Sequence, residues 1–446
     1  MFLQRRTFLK LGAGFSVSSL LMGWADPVAV AATRSKTLHQ DVRNSAKACL
    51  FIMLRGAPSH VDTFDLKVGK WTPDWIQPQR LPQGYLWPVG LFPKLAQHAD
   101  KFSLVRSLAH EEEVHERAMY YLETGRRLNP GLRSEIPHIG AVVAYDFERT
   151  GRRRPTDTFP GYINLSGWYY SENGFLPPQY TPFKYSDNLY SPNGIAEFEA
   201  RLQIAKLLQP QKSNYRQPFS VFQEQAELMV KDPVTLPTFS VEWQNSDHRR
   251  YGGDYFAYNM VLARNILRAD RGTRYIELSQ GGWDHHQNIY TDTHDYSLRG
   301  LSRSLDQSLS ALIEDLAASP GSVTGKSLLD ETLIVVAGEF GRTVGDLNNH
   351  AGRDHYPYAF SALFVGGGVK GGRVIGTTDS LGASVLDPGW PHQRPIHITD
   401  LVATIYSALG IEYKTTVFDT PSGRPFSYVD WRAIGDEEVY EIEGLF

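Results

Sequence analysis

The chain has 446 residues, 41% of them hydrophobic, and a formal net charge of −4 at neutral pH. That length suits one large α/β domain with an insertion, or two domains, and the slight acidity excludes a broad nucleic-acid surface. Cys49 is the one cysteine, which excludes internal disulfides, iron–sulfur clusters, c-type haem and cysteine-based zinc.

The first residues read as an address. Gln4-Arg5-Arg6-Thr7-Phe8-Leu9-Lys10 has the form of a twin-arginine export signal, with Gln4 where Ser or Thr is usual. A weakly apolar run extends from Leu11 to Trp24, and Ala29-Val30-Ala31 offers a small-x-small cleavage site. The run is too short and too rich in Gly and Ser to span a bilayer comfortably, and no later stretch is long enough. Residues 1–32 are therefore expected to be a signal peptide recognised by the twin-arginine export machinery. The mature protein would be periplasmic or secreted, with no stable membrane span after cleavage. That route carries folded proteins, often with a cofactor already loaded. With one thiol, metal ligands would be His, Asp and Glu, a set that suits zinc, manganese, magnesium or calcium.

Ala48-Cys49-Leu50-Phe51-Ile52-Met53-Leu54 is a continuous apolar run, the signature of a parallel strand buried on both faces. A sharp turn through Arg55-Gly56-Ala57-Pro58-Ser59-His60 carries the chain to Asp62 and Asp65. Residues 102–106 predict a strand and 111–122 a helix that stops at Thr124-Gly125, with Gly at the C-cap. Residues 150–245 are rich in Tyr, Phe, Pro and Asn, as at Trp168-Tyr169-Tyr170, and have poor periodicity except for a helical stretch near 195–208. They read as an inserted cap over the site or as a surface excursion. Residues 255–269 and 298–318 predict helices, 275–278, 332–338 and 360–365 predict strands, and 398–409 a last helix. This alternation predicts an α/β fold with a mostly parallel sheet and helices on both faces. The main domain is expected to span 45–430, with 431–446 as a tail.

Gly366-Gly367-Gly368-Val369-Lys370-Gly371 formally matches a dinucleotide-binding fingerprint. The next residues, Arg373-Val374-Ile375-Gly376, read as a strand, whereas that fingerprint needs a helix whose N-terminus faces pyrophosphate. No G-x-S-x-G elbow and no P-loop is present. The remaining signal is a set of His and carboxylate residues that leave strand ends, where an open α/β sheet puts its chemistry. Asp284, His285 and His286 come after one strand, and Glu339, Asp354 and His355 after another. Together with His60, Asp62, His110 and His115 they offer hard ligands for one or two divalent ions. Two such ions about 3.5–4 Å apart hold an anionic ester and acidify a bound water. Arg342, Arg353 and Lys370 are candidates for orienting a phosphate or sulfate, or are solvated salt-bridge partners.

At these residues the chain resembles the domain of unknown function 1501 family, exported bacterial proteins placed in the alkaline phosphatase and sulfatase superfamily. The matching segments are Gly56-Ala57-Pro58-Ser59-His60-Val61-Asp62-Thr63-Phe64-Asp65, Gly281-Gly282-Trp283-Asp284-His285-His286, Glu339-Phe340-Gly341-Arg342-Thr343, Gly352-Arg353-Asp354-His355 and Ile396-His397-Ile398-Thr399-Asp400-Leu401. The resemblance runs from about residue 45 to residue 426. It implies an alkaline-phosphatase-like core and a metal site of Asp62, Asp284, His286, Glu339 and His355. The expected activity is hydrolysis of small-molecule or glycan phosphate or sulfate esters. The alternative is a non-catalytic sulfatase-like protein that binds an anionic or glycan partner. Phe340 stands where the superfamily has a metal-binding His. His115 stands where sulfatases have their nucleophile, as a nucleophile, a general acid or a metal ligand. Ser59 and Thr63 are reserve nucleophiles.

Overall fold

The computed structural model describes residues 42–166, 170, 172–185, 216–430 and 438–446. The expected signal peptide, Trp168-Tyr169 and the helical stretch near 195–208 lie outside the described residues.

The apolar run after Ser45 forms β1 (Ala48–Leu54), buried along its whole length. Its side chains alternate between two cores. Leu50, Ile52 and Leu54 join one hydrophobic cluster; Cys49, Phe51 and Met53 join the other. A strand with both faces covered needs no polar positions, so the sequence shows a continuous run rather than alternation. Seven further strands complete its sheet: β2 (Phe102–Leu108), β3 (Tyr162–Asn164), β4 (Phe183–Lys184), β5 (Tyr275–Gln280), β6 (Thr332–Ala337), β7 (Phe360–Val365) and β8 (Val374–Ile375). Their order is β8-β2-β7-β6-β1-β5-β3-β4. β1 pairs in parallel with both β5 and β6. β7 alone runs antiparallel to its neighbours β6 and β2.

Helices cover both faces. α1 (His115–Thr124), α2 (Ile139–Arg149) and α5 (Ile398–Ala408) bury Leu122, Val142 and Leu401 in the cluster that holds Phe51. α3 (Tyr255–Ala269) and α4 (Leu298–Ala318) bury Met260, Leu262, Leu305 and Leu309 against the opposite face. Asp254 and Ser297 cap α3 and α4 by accepting hydrogen bonds from the N–H of Ala257 and Gly300, a stop-and-start signal legible in the sequence. α1 ends at Gly125 in the left-handed conformation, as its C-cap pattern predicts. It starts at His115 rather than Glu111, because the preceding loop is tied elsewhere: the Glu112 N–H donates to His110 Nδ1 and the Tyr358 hydroxyl to Glu113 Oε1.

The described parts of residues 150–245 belong to the main fold. β3 and β4 form one edge of the sheet, and Phe159, Ile163, Met229 and Phe239 lie in the same core as α3 and α4. The glycine-rich turn after β7 leads to strand β8, not a helix, which removes the dinucleotide reading. No helix of the described residues is long and apolar enough to cross a membrane. Leu50→Ala removes a fully buried side chain from the central strand and is expected to lower stability by about 2–5 kcal/mol. Urea denaturation measures this, and a loss of a few tenths would contradict close packing at β1.

Candidate metal centre

The sheet order reverses direction at β1, which has β5 on one side and β6 on the other. Loops leaving these strands therefore diverge from a common crevice, the place where open α/β sheets bind ligands. Residues 55–62 leave β1, 281–286 leave β5 and 338–342 leave β6. β7 runs the other way, so the segment entering it, not leaving it, reaches the same edge. That segment carries His355, paired with Arg342 in a short antiparallel ladder. The loop after β2 delivers His115 at the start of α1.

Close contact between these loops depends on glycine. Gly56 has φ +100°, and a Cβ there would lie 2.5 Å from the Asp284 backbone nitrogen. Its own N–H donates to Glu339 Oε1 at 2.9 Å. Trp283 is fully buried in the core, so the turn after β5 is anchored while the next side chain, Asp284, stays 45% exposed.

Asp284 Oδ1 is the point of convergence. His286 Nε2 lies 3.0 Å from it, His115 Nε2 3.3 Å and His355 Nε2 3.6 Å. The Arg342 guanidinium donates to the same oxygen. Donor atoms of His115, Asp284 and His355 all lie within 4.8 Å of one another, and His286 Nε2 is 3.0 Å from His355 Nε2. Each ring is held from behind by an oxygen acceptor on Nδ1. Glu339 Oε1 serves His115 at 2.6 Å, Asp354 Oδ1 serves His286 at 2.8 Å, and the Glu113 carbonyl serves His355 at 2.6 Å. An acceptor at Nδ1 places the ring hydrogen there and turns the Nε2 lone pair toward the cluster, the arrangement found behind metal-binding imidazoles. Phe340, itself buried, packs against the rings of His115 and His355, with centroids 4.9 and 4.7 Å away.

Electrostatics reflect this crowding. Burial opposes charge on His115, but Asp284 and Glu339 outweigh it and hold the imidazole up at about 9. Burial alone would raise Asp284; the His115 and His355 rings beside it and the Arg342 guanidinium hold its carboxyl far below the usual range. Asp354 is lowered by the hydrogen bond from His286.

The residues fit a divalent ion. Tetrahedral coordination at about 2.0–2.1 Å places ligand atoms roughly 3.3–3.4 Å apart, and the contacts around Asp284 Oδ1 run from 3.0 to 3.6 Å. His115 Nε2 and Glu339 Oε2 are buried with no hydrogen-bond partner. Phe340 removes no ligand from this set, because three other imidazoles supply it.

Other expected ligands are corrected. Asp62 is fully buried and occupied: Oδ1 accepts from the Tyr290 hydroxyl at 2.6 Å, and Oδ2 from Ser59 at 2.6 Å and Arg353 Nε at 2.7 Å. Arg353 also donates to the carbonyls of Thr343 and Gly345, so it fastens loops and has no face for an anion. Glu339 lies behind His115 and not beside the other donors. His110 donates to the Glu339 carbonyl at 2.6 Å, and burial pushes it down to about 4. His60 and His285 are held by the carbonyls of Gly382 and Tyr296, and burial lowers both. Ser59 donates to Asp62, and Thr63 to the Ser59 carbonyl. Lys370 comes after the reversed strand β7, at the opposite edge of the sheet, where it donates to the Phe446 carbonyl.

A second group, Glu123, His138 and Glu277, is wholly buried and carries no signal in the sequence. His138 Nδ1 accepts from the Gly140 N–H at the start of α2. The neutral ring hydrogen then sits on Nε2, 2.9 Å from Glu277 Oε2, and no lone pair remains for a metal. Nothing in strand or helix periodicity separates this helix cap from a ligand.

A family model described as "Protein of unknown function (DUF1501)" matches residues 46–439, a span that contains every residue of the cluster. No curated protein matches the chain. Among solved structures, the chain is similar to a phosphonate monoester hydrolase from Silicibacter pomeroyi, at 14% identity over 82% of this chain and 73% of that one, with a TM-score of 0.39. It is also similar to a protein in the alkaline phosphatase superfamily from Vibrio parahaemolyticus, at 10% identity over 86% and 74%, TM-score 0.37. A third is the lipoteichoic acid synthase LtaP from Listeria monocytogenes, at 9% identity over 86% and 77%, TM-score 0.37.

Two outcomes are expected. Asp62→Ala leaves Arg353 charged and unpaired in the interior, so it destabilises by about 3–5 kcal/mol without removing a donor from the cluster; a denaturation curve alongside metal titration separates the two effects. For the metal-free protein, His115 titrates near 9 in the fold against 6.5 unperturbed. A raised imidazole stabilises fully below about 6.5, and that contribution is lost as pH rises through about 9. The melting temperature of chelator-treated protein should fall across that window, and metal affinity should rise across it as the competing proton leaves.

Proposed function

The chain belongs to the DUF1501 family of proteins of unknown function, and from that premise we propose that it is an exported, metal-dependent hydrolase of phosphate or sulfate esters. One observation carries the proposal. His286 Nε2 and His355 Nε2 are 3.0 Å apart, and both rings donate Nδ1–H to an oxygen. Two facing lone pairs at that distance repel unless a cation lies between them. A divalent ion held by His355 and Asp284, with His286 beside it, answers that repulsion.

His115, Asp284 and His355 hold the ion in this reading, with His286 beside them. The donors are nitrogen and oxygen only, a set suited to zinc or manganese. Asp284 and His286 are 45% and 43% exposed, which supports an open coordination position, the mark of a catalytic rather than a structural site. An ion there supplies Lewis-acid polarisation of an ester oxygen and acidifies water. Glu339, Asp354 and the Glu113 carbonyl orient the three rings, and Phe340 packs against two of them. Ser59 and Thr63 have engaged hydroxyls and are buried, so water takes the attacking role in place of a side chain. Arg5-Arg6 and the Ala29-Val30-Ala31 site support export through the twin-arginine route to the periplasm or beyond.

The same engaged hydroxyls favour one rival, a metal-binding protein that recognises an anionic or glycan partner without turning it over. Protein purified without added metal is expected to carry zinc or manganese by elemental analysis and to hydrolyse members of a panel of aryl phosphate and sulfate esters. His355→Ala should lower activity by about two orders of magnitude or more, the scale of losing one electrostatic element of an active site. Metal without turnover of any ester would leave the binding role; no metal at all would remove both.

A further inference from the structure

Arg342 lies inside the cluster but has no donor left for a substrate. Its side chain is 1% exposed. Nε donates to the Ala57 carbonyl at 2.9 Å. Nη1 donates to the Arg353 carbonyl at 3.1 Å and faces His286 Nε2 at 3.3 Å. Nη2 donates to the Gly56 carbonyl and to Asp284 Oδ1. A guanidinium has five N–H groups, and these contacts account for all of them. Three go to backbone carbonyls. The other two go to atoms of the proposed centre.

A guanidinium does not lose its proton in a protein. A fixed positive charge therefore stays in contact with Asp284 Oδ1 and His286 Nε2. These are the atoms a second ion would need. Two-metal sites hold their ions about 3.5–4 Å apart and share a carboxylate between them. Here the donors of His115, Asp284 and His355 serve one ion, and the guanidinium already occupies the same Asp284 oxygen and the Nε2 of His286. A second doubly charged ion there would meet a buried cation at contact range, where screening is weak. Asp62, the other carboxylate of the β1 loop, is held by Arg353 and Tyr290 and cannot replace the covered ligands.

We infer that the centre takes a single divalent ion and that the Arg342 guanidinium stands in the place, and carries part of the charge, of a second one. This rests on the metal-dependent reading of the same cluster. Asp284 then bridges a metal ion and an organic cation. Chelation removes the first and leaves the second. Three carbonyl contacts pin the guanidinium, so its charge keeps its position whether or not the ion is bound.

The test uses Mn²⁺ as the probe on the full chain after chelator treatment. Equilibrium dialysis with elemental analysis should give one Mn²⁺ per chain, and electron paramagnetic resonance should give a mononuclear hyperfine pattern with no exchange coupling. Two ions per chain with a coupled spectrum would overturn the inference and leave the metal reading standing. No Mn²⁺ uptake would remove the metal reading, and this inference with it. Arg342→Lys keeps the charge and should keep one ion. Arg342→Met removes it, so a folded variant should take up a second equivalent or bind the first more tightly, on the order of tenfold. Unchanged stoichiometry and affinity in that variant would reduce Arg342 to a loop fastener and refute its role. If the Met variant does not fold, the wild-type count and the Lys variant decide.

Discussion

One carboxylate oxygen, Asp284 Oδ1, gathers contacts from loops that leave or enter four different strands. His115 arrives after β2, His286 and Asp284 itself after β5, Arg342 after β6, and His355 ahead of β7. No two of these segments need meet for local reasons. They meet because the sheet order reverses at β1 and because β7 alone is inverted. An inverted strand exchanges its ends, so the residues before it take the place that residues after a parallel strand would hold. The glycine at position 56 then lets the β1 loop lie flat against the backbone of Trp283 and Asp284.

Much of this is legible in the order of amino acids alone. Unbroken apolar runs at 48–54 and 332–338 announce strands covered on both sides, and the helices at 255–269 and 298–318 carry clear caps and periodicity. That Asp284, His286, Glu339 and His355 are neighbours is implied by their positions at strand ends and by the family resemblance. The short edge strands β3 and β4 are not legible. At three and two residues they are too brief for a period to show, and they sit in a Tyr- and Pro-rich stretch whose hydrophobicity is shared with loops.

The misread residues have a common physical cause. Asp62, Arg353, Arg342, His60 and His110 are polar side chains at the same sheet edge as the ligands, and sequence alone does not tell a charge that faces the crevice from one that fastens it. The difference lies in partners from distant segments. Arg353 finds Asp62 across 291 positions of chain, and His110 finds the Glu339 carbonyl across 229. A buried charge needs a partner to be tolerated at all, so some charged residues of such a site serve to hold others in place. His115 shows the opposite case: its place at the start of the helix after β2 is compatible with several chemical roles, and its contacts with Glu339 and Asp284 support the proposed one, a ligand in the cation cluster.

The two buried arginines divide the work of holding that cluster. Arg353 is neutralised by Asp62 within the protein, so the loops it ties together stay assembled whatever occupies the centre. Arg342 shares its carboxylate with three imidazoles, so its balance of charge depends on what those imidazoles carry. With His115 held protonated by Glu339 and Asp284, the metal-free cluster sets two cations, His115 and Arg342, against the carboxylates of Asp284, Glu339 and Asp354. In the proposed reading a divalent ion takes the place of that proton and raises the charge of the cluster by one. An anion approaching the crevice would therefore meet a less negative centre once the proposed ion is bound.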